Sequence, residues 1–419
     1  MKILPKIIAA SKNTHLNSRD IEKLQNKKLH ELVRYSYENV NFYHSLFKKE
    51  KIDPDSIRTV EDLSKLPILT KKTLRSQPME NFTSKSIDTS KCLAMRTSGS
   101  SGIPLCVYWD PEATLDMGVK TYRYQVSLGN KFWYRQADVL AGWAPRWGTI
   151  QNWGYFKTLR IPTFTNTPEM LKQITEFQTQ ALCTLPSFAR SLCKEVKSKG
   201  KRGLKLRLIF TGGEMLDEYT RKTCEDILGA KVYDGYGTNE LGFIAAECRK
   251  QSGFHVESDF CIVEITKNGE RVSPGEEGEI TVTNLVNKAS PLIRYNIEDV
   301  GILDTDKCAC GSSFPILRMT QGRKSDVFLR FDGEFVPAPV IKCVFDVIEG
   351  IAQYQVIQEE KGRFIVNVEK DANYVKDNTE EIKRKLTEVV GPAEIDVRFQ
   401  DEIPRQNSRK LRSFISKVS

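Results

Sequence analysis

One short loop of this chain is crowded with hydroxyl and glycine residues. The segment RTSGSSGIP at positions 96–104 contains Thr97, Ser98, Gly99, Ser100, Ser101 and Gly102 in succession. Glycines permit a tight turn, and hydroxyl and amide groups could wrap an anion such as phosphate. The loop differs from the phosphate loop G-x-x-x-x-G-K-[ST], because Leu105 stands where a lysine could follow. A plain Ser/Gly hairpin turn is therefore the alternative.

A second set of side chains could bind a metal ion. Cys248 and His255 lie in ECRKQSGFH, and Cys308 and Cys310 lie in CAC. Three thiolates and one imidazole form a tetrahedral, closed zinc set. The spacing is not that of a common zinc finger, so buried thiols without a metal are the alternative.

The elements that position these residues begin with helices. The first 90 residues are predicted to be mainly helical, and SRDIEKLQNKKLHELVRYSYENV carries apolar residues near helical spacing. Ser18 or Asp20 is available as the cap of this helix. Pro54 and Pro67 divide the segment that follows into short helices.

From the glycine loop onward, short strands alternate with helices, which predicts an α/β fold. LKLRLIF at 204–210 alternates like a strand, TGGE turns the chain, and a helix and the strand AKVYDGYG follow. Ligands bind at the carboxyl ends of the strands in an open parallel sheet, so both turns are predicted to lie at a ligand site. After Arg323, a hairpin, a helix ended by Gly391 and a further strand predict a small α+β unit.

The composition is that of an ordinary globular protein, with 40% hydrophobic and 28% charged residues. The sequence contains no apolar run of 18 residues, so no membrane span is indicated. The start MKILPKIIAA is interrupted by Pro5 and Lys6 before a secretory core can form, so we expect a cytoplasmic protein with reduced cysteines. The net charge of +9 is spread among acidic residues, which favours a solvated surface over a nucleic-acid-binding one.

Six motifs in fixed order point to a family: RTSGSSGIP, FTGGE, YDGYGTNE, SPLIRYNIEDVG, GRKSD and PRQNSRKLR. Their succession resembles that of the adenylate-forming enzymes, the superfamily of acyl-CoA synthetases and adenylation domains. The closer resemblance is to the phenylacetate-CoA ligase branch with its CapK-like relatives in capsular polysaccharide biosynthesis. It extends from about residue 20 to the C-terminus and includes the helical opening.

The resemblance implies a multi-layer adenylate-forming domain over residues 1–322 and a small mobile lid domain over 323–419, with its hinge near Ser325. It also implies an ATP site in which Thr97–Gly102 wraps the outer phosphates. The other ATP-binding residues by resemblance are Gly212, Gly213, Glu214, Tyr236 and Gly237 at the adenine, and Asp299 and Arg323 at the ribose. The catalytic residues by resemblance are Thr238 near the α-phosphate, Glu240 as the ligand of Mg²⁺, and Lys410 between the α-phosphate and the substrate carboxylate.

Three positions depart from the family pattern. Leu105 replaces a lysine found in many superfamily loops, although the phenylacetate-CoA ligase branch often lacks it as well. Asn239 stands where Ser or Thr usually precedes the glutamate, and Arg409 replaces the glycine that commonly precedes the lysine. Adenylation remains the expectation, while these two departures bear on its efficiency and on the acceptor.

The resemblance implies an enzyme, an AMP-forming acid–thiol ligase. It would join an aryl or other organic acid to ATP and pass the acyl group to CoA, releasing AMP and pyrophosphate. The enzymatic alternatives are AMP transfer as in coenzyme F390 synthetases, and acyl transfer to an amine or hydroxyl in polysaccharide biosynthesis. A zinc-stabilised nucleic-acid-binding protein is the alternative of a different class, and it would need neither Glu240 nor Lys410.

Relatives in the branch carry a similar Cys, His, Cys-x-Cys set, which implies structural Zn²⁺ at Cys248, His255, Cys308 and Cys310. An aromatic cluster is also present, and in the family its region helps to wall the acyl pocket. Aromatic core packing is the alternative for this cluster. Its members are Trp143, Trp147, Trp153, Tyr155 and Phe156.

Overall fold

The computed structural model places most of the chain. It describes residues 3–96, 106–139, 157–162, 165, 167–199, 203–304, 307–321, 327–333, 335–337, 341, 344, 345, 348, 350–370, 377–401, 403 and 414–418. The chain divides into two compact units. The first contains most of the residues up to 318, and the main part of the second is residues 319–419.

Helices open the first unit and then flank its sheet. The helices of this unit are α1 (Ile3–Asn13), α2 (Ser18–Asn39), α3 (Asn41–Glu50), α4 (Lys71–Arg75), α5 (Pro111–Ser127), α6 (Thr167–Glu176), α7 (Pro186–Lys199) and α8 (Glu218–Leu228). Four 3₁₀ turns lie among the first of them, at Pro54–Ser56, Glu61–Lys65, Met79–Phe82 and Thr89–Lys91. The cap of α2 differs from the prediction, because Asn17, rather than Ser18 or Asp20, accepts the backbone N–H of Asp20. Asn17 fits that role because its short amide side chain sits just outside the first turn.

The strands of the first unit follow from β1 to β14. They are β1 (Leu93–Arg96), β2 (Cys106–Trp109), β3 (Gln136–Val139), β4 (Thr158–Arg160), β5 (Ala181–Thr184), β6 (Leu208–Gly212), β7 (Lys231–Thr238), β8 (Gly242–Glu247), β9 (Phe254–Val256), β10 (Cys261–Lys267), β11 (Glu270–Arg271), β12 (Glu277–Asn284), β13 (Tyr295–Asp304) and β14 (Ile316–Gln321). Twelve of them form one sheet, in the order β11-β10-β12-β13-β14-β9-β8-β7-β6-β5-β3-β4.

The half of this sheet from β4 to β7 is parallel. Alternate side chains point to opposite faces of a strand. On one face, Leu182, Ile209 and Val232 pack with α6, α7 and α8, and on the other, Phe210 and Tyr233 pack with α5. Helices cover both faces, as a parallel sheet requires. The α/β prediction is confirmed, although β6 begins at Leu208 rather than at residue 204.

The second unit is a smaller α/β domain. Its strands are β15 (Val327–Leu329), β16 (Phe335–Pro337), β17 (Ile351–Glu360), β18 (Arg363–Lys370), β19 (Glu394–Gln400) and β20 (Phe414–Ser416), and its helices include α9 (Thr379–Val390). β17 and β18 form the predicted hairpin, in a sheet of order β19-β18-β17-β20. Helix α9 buries Ile382, Leu386 and Val390, which are spaced four residues apart on one face of the helix.

Candidate active site and metal cluster

Two glycines meet where β6 and β7 run side by side. Gly212 at the carboxyl end of β6 is paired with Gly235 of β7, and a Cβ on Gly212 would lie 2.9 Å from the Gly235 carbonyl oxygen. Gly213 follows with a φ of +77°, a backbone conformation that L side chains rarely adopt. The turn Gly212–Glu214 therefore presents backbone without side chains at Gly212 and Gly213, at the carboxyl edge of the parallel strands. This is the position in which an α/β sheet binds ligands.

The neighbouring turn connects β7 to β8. Tyr236 and Gly237 lie near the end of β7, and Thr238 pairs with Gly242 across the hairpin. The Thr238 Oγ1 accepts the backbone N–H of Leu241 at 3.2 Å, which fixes the tip of the turn. A Cβ on Gly237 would overlap the carbonyl oxygen of Gly242. Only glycine therefore fits at this position of the hairpin.

Glu240 is the carboxylate at the tip of this hairpin. Glu240 is only 6% exposed. The fully buried Tyr295 at the start of β13 donates a hydrogen bond from its hydroxyl to Glu240 Oε1 at 3.3 Å. A carboxylate held at the carboxyl edge of a parallel sheet is suited to a hard cation that also binds phosphate. Asp299 lies in the same strand as Tyr295. No sequence pattern indicates the Tyr295 contact, because 55 residues separate the two partners.

Several predicted site residues lie outside the described residues. They are the loop Thr97–Gly102, the residues Arg323, Ser325 and Lys410, the departures Leu105 and Arg409, and the aromatic cluster Trp143, Trp147, Trp153, Tyr155 and Phe156. The structure therefore brings together the turns after β6 and β7, and the roles of the other residues stay predictions.

Asp234 is a buried acid beneath the two turns. It belongs to the motif YDGYGTNE, but the motif alone does not indicate its role. The Thr211 hydroxyl donates to Asp234 Oδ1 at 2.7 Å, and Glu247 accepts the Asp234 backbone N–H at 2.8 Å. Burial raises the pKa of the Asp234 carboxyl to about 7, although the Thr211 hydrogen bond opposes this shift. Glu247 is in turn paired with Arg221 at 2.7 Å.

We expect Asp234 to make stability depend on pH. Its pKa in the fold exceeds the ordinary value of 3.8, so its contribution is fully present below about pH 4 and is lost as the pH rises through about 7. The size of this contribution is on the order of a few kcal/mol. Thermal unfolding at pH 5 and at pH 8 should show a larger drop in midpoint for the parent than for Asp234→Asn. The same drop in both proteins would contradict this assignment.

The four predicted metal ligands converge in the structure. The ligand atoms of Cys248, His255, Cys308 and Cys310 all lie within 4.8 Å of one another. Cys248 Sγ lies 3.7 Å from Cys308 Sγ, and Cys310 Sγ lies 3.4 Å from His255 Nε2. Zinc–sulfur bonds of ~2.3 Å in a tetrahedron place two sulfurs roughly 3.8 Å apart, so the spacing fits a zinc ion.

Hydrogen bonds from neighbouring groups hold the ligand atoms of this cluster in position. The backbone N–H groups of Lys250, Cys310 and Ser312 donate to cysteine sulfurs at 3.3–3.5 Å. His255 Nδ1 lies 2.8 Å from the Phe314 carbonyl oxygen, which can only accept, so Nδ1 carries the hydrogen and Nε2 faces the sulfurs with its lone pair. A partner of this kind orients metal-binding histidines in general.

The metal cluster and Glu240 lie at opposite ends of β8. Glu240 lies two residues before the start of this six-residue strand, and Cys248 immediately follows the strand. At a rise of about 3.3 Å per residue, the two sites are roughly 15–20 Å apart. The cluster therefore lies at the end of β8 away from Glu240, and it joins the β8–β9 turn to the loop before β14.

Comparison with known proteins gives the same picture. The family model described as AMP-binding enzyme matches residues 22–285, and the model described as CapK C-terminal domain matches residues 328–417. A phenylacetate-coenzyme A ligase of Thermus thermophilus is 26% identical over 82% of this chain and 79% of its own length. Protein CapK of Staphylococcus aureus is 22% identical over 67% of this chain and 62% of its own length.

A solved structure shares the fold. The 2-hydroxyisobutyryl-CoA ligase in complex with an acyl-adenylate covers 97% of this chain and 91% of its own, with a TM-score of 0.76 and 19% identity. The family resemblance drawn from the six motifs is confirmed. The chain belongs to the family of AMP-binding, adenylate-forming enzymes, within the phenylacetate-CoA ligase branch that includes CapK-like proteins.

Proposed function

We propose that this enzyme activates an organic acid with ATP and transfers the acyl group to the thiol of CoA. The observation that carries the proposal is the pair of turns at the carboxyl ends of β6 and β7. One turn leaves glycine backbone that a ligand could approach closely, and the other holds the buried carboxylate of Glu240. The similarity to phenylacetate-coenzyme A ligases supports an aryl or related acid as substrate and CoA as acceptor.

The proposed reaction has two steps, adenylation of the acid and transfer of the acyl group to CoA. A carboxylate oxygen of the acid attacks the α-phosphorus of ATP, and pyrophosphate leaves. The thiolate of CoA then attacks the carbonyl carbon of the acyl-adenylate, and AMP leaves. The first step joins two anions, so the protein's task is to hold them in line and to neutralise their charge.

We assign the ATP contacts to the residues that the motifs predict. Gly212, Gly213, Glu214, Tyr236 and Gly237 line the adenine. The ribose contacts are assigned to Asp299 and Arg323, the outer phosphates to Thr97–Gly102, and the α-phosphate to Thr238. Mg²⁺ on Glu240 would supply positive charge to the phosphates, since carboxylate and phosphate oxygens are its preferred ligands.

Lys410 supplies the remaining cation in this proposal. A lysine on the small domain could reach between the α-phosphate and the substrate carboxylate, and rotation near Ser325 could withdraw it for the second step. The division at residues 322 and 323 into a large domain and a lid belongs to the same proposal. We place the reaction in the cytoplasm, where ATP and CoA are available.

The acceptor has a second candidate. Residues 328–417 match the CapK C-terminal domain. Because of the resemblance to the relatives in capsular polysaccharide biosynthesis, acyl transfer to an amine or hydroxyl is the second candidate. AMP transfer of the coenzyme F390 synthetase type would instead leave no acyl thioester.

Mass spectrometry of the products distinguishes these acceptors. The parent enzyme with ATP, Mg²⁺, CoA and a panel of aryl and aliphatic acids should yield AMP, pyrophosphate and one acyl-CoA. Lys410→Ala should lose this yield by about a hundredfold, whereas Lys417→Ala, an exposed lysine paired with Glu359, should retain it. An adenylylated product, or an acyl-adenylate that CoA does not consume, would contradict the CoA assignment.

We also propose that the cluster of Cys248, His255, Cys308 and Cys310 holds a structural zinc ion. Four protein ligands close the coordination shell, so no position is open for a substrate. Zinc would tie two chain segments together, because Cys248 and Cys308 are 60 residues apart in sequence. Zinc binding of this kind contributes directly to folding free energy.

Metal analysis tests the zinc proposal. We expect about one zinc per chain, and chelation or the double variant Cys308→Ser/Cys310→Ser should remove it and lower the thermal unfolding midpoint. Cys92→Ser, at a half-exposed cysteine elsewhere, should change neither quantity. A metal-free protein whose midpoint is insensitive to chelator would overturn the assignment.

A further inference from the structure

The amino ends of the parallel strands form a surface that the proposed chemistry does not use. Residues 128–135 connect α5 to β3, and Arg207 immediately precedes β6. Gln180 holds these segments together, because its backbone N–H donates to the Arg135 carbonyl oxygen at 2.8 Å and its carbonyl oxygen accepts the Arg207 backbone N–H at 2.9 Å. The Arg207 guanidinium also lies 5.9 Å from the Tyr134 ring. The turns that carry Gly212 and Glu240 lie at the opposite, carboxyl ends of β6 and β7.

This surface exposes large apolar side chains. Three of the seven exposed large hydrophobic residues among the described residues lie here, namely Val126 at 41%, Phe132 at 43% and Trp133 at 51% exposure. Phe132 and Trp133 pack edge to face with ring centroids 4.5 Å apart, so they form one projecting pair. Val126 lies in the last turn of α5, at the start of the same connection. Clustered apolar exposure of this kind indicates an interaction site.

Basic side chains surround the apolar pair. Lys131, Arg135 and Arg207 are exposed, and the exposed Arg249 donates to the Ser127 carbonyl oxygen at 2.9 Å, which brings it beside the end of α5. Lys231 at the start of β7 is paired with Glu225 at 3.0 Å, so that acid is already neutralised. Residues 126, 131–133, 135 and 207 are called the aromatic–basic face below.

We propose that the aromatic–basic face binds the surface of an anionic lipid bilayer. Lysine and arginine are attracted to anionic headgroups, while tryptophan and phenylalanine bury their rings at the boundary between headgroups and acyl chains. The enzyme would lie on the bilayer with the carboxyl ends of β6 and β7, and hence Gly212 and Glu240, directed away from the lipid.

One contact and one side chain favour a bilayer over a nucleic acid. Lys131 Nζ lies 5.2 Å from the centroid of the Trp133 ring, so one face of that ring already carries a cation where a base would stack. Val126 is aliphatic and offers no π face, yet it can be buried in the boundary region of a bilayer. The face therefore combines apolar side chains that can insert into a bilayer with basic side chains that attract anionic headgroups. Binding of single-stranded nucleic acid does not require the inserting side chains.

Vesicle sedimentation of the full chain tests the proposal. The probes are vesicles of phosphatidylcholine alone and vesicles of phosphatidylcholine mixed with phosphatidylglycerol. We expect binding to the mixed vesicles that weakens as salt increases. Phe132→Ser/Trp133→Ser and Lys131→Gln/Arg207→Gln should each reduce the partition coefficient roughly tenfold or more. Ile8→Ser, which changes a half-exposed apolar residue of α1, should bind like the parent.

Thermal unfolding midpoints show whether each variant remains folded, and a folded variant that binds like the parent would overturn the proposal. The proposal would also fail if the parent bound both vesicle types equally, or if it ignored vesicles and bound single-stranded RNA through the same residues. None of these results depends on the acid or the acceptor of the enzymatic reaction.

Discussion

Glu240→Gln is expected to reduce acid-dependent exchange of pyrophosphate into ATP by at least about a hundredfold. The amide has nearly the same shape as the carboxylate and can still accept the hydrogen bond from Tyr295, so the hairpin should keep its structure. Only the negative charge is lost. Because Mg²⁺ prefers a carboxylate, the variant should also need a higher Mg²⁺ concentration for its residual exchange.

A matched control distinguishes the effect of removing a negative charge at the site from the effect of removing one elsewhere on the protein. Glu276→Gln removes an exposed carboxylate in the turn before β12 and should leave the exchange rate unchanged. Thermal unfolding of both variants should resemble that of the parent. An unimpaired exchange rate in Glu240→Gln would mean that Glu240 is not the metal ligand.

Gly237→Ala is the second substitution with a large expected effect, and it acts through the backbone. The added Cβ would overlap the Gly242 carbonyl oxygen and lie 3.1 Å from Phe243 Cα, so the β7–β8 hairpin must move apart. A displaced hairpin carries Thr238 and Glu240 out of position, and misplacement of about 1 Å can cost about a hundredfold in rate. We expect the loss in exchange and a weaker affinity for ATP, measured by calorimetry.

Gly275→Ala provides a strict comparison for this variant. Its φ of +86° makes alanine strained there as well, but nothing lies within 4 Å of the added Cβ. This control should lose a little stability and retain both exchange and ATP affinity. If Gly237→Ala behaved like Gly275→Ala, the close approach of β7 and β8 would have no part in the site.

Local patterns predicted the elements around the site well. The alternation in LKLRLIF predicted a strand before the turn TGGE, and AKVYDGYG predicted a second strand; β6 and β7 end at the predicted turns. Helix α9 follows directly from the four-residue spacing of Ile382, Leu386 and Val390. Such features depend on residues close in sequence, so one segment at a time is enough to predict them.

Other features arise only when distant segments meet. The Tyr295–Glu240 hydrogen bond joins β13 to the β7–β8 hairpin, and no spacing in the sequence indicates it. The four metal ligands come from two segments, so their spacing alone left buried thiols as an alternative. The pKa of Asp234 is raised by burial, which depends on the helices packed on both faces of the sheet. The aromatic–basic face likewise depends on the order β3-β5-β6 within the sheet, which brings the amino ends of these strands to one edge.

Pyrophosphate exchange in the absence of CoA shows whether the enzyme forms an acyl-adenylate. The adenylation mechanism predicts that the parent enzyme incorporates labelled pyrophosphate into ATP only when Mg²⁺ and a suitable carboxylic acid are present. Glu240→Gln and Lys410→Ala should both lose that incorporation while remaining folded. Exchange that is independent of any acid, or no exchange across a broad panel of aryl and aliphatic acids, would contradict it.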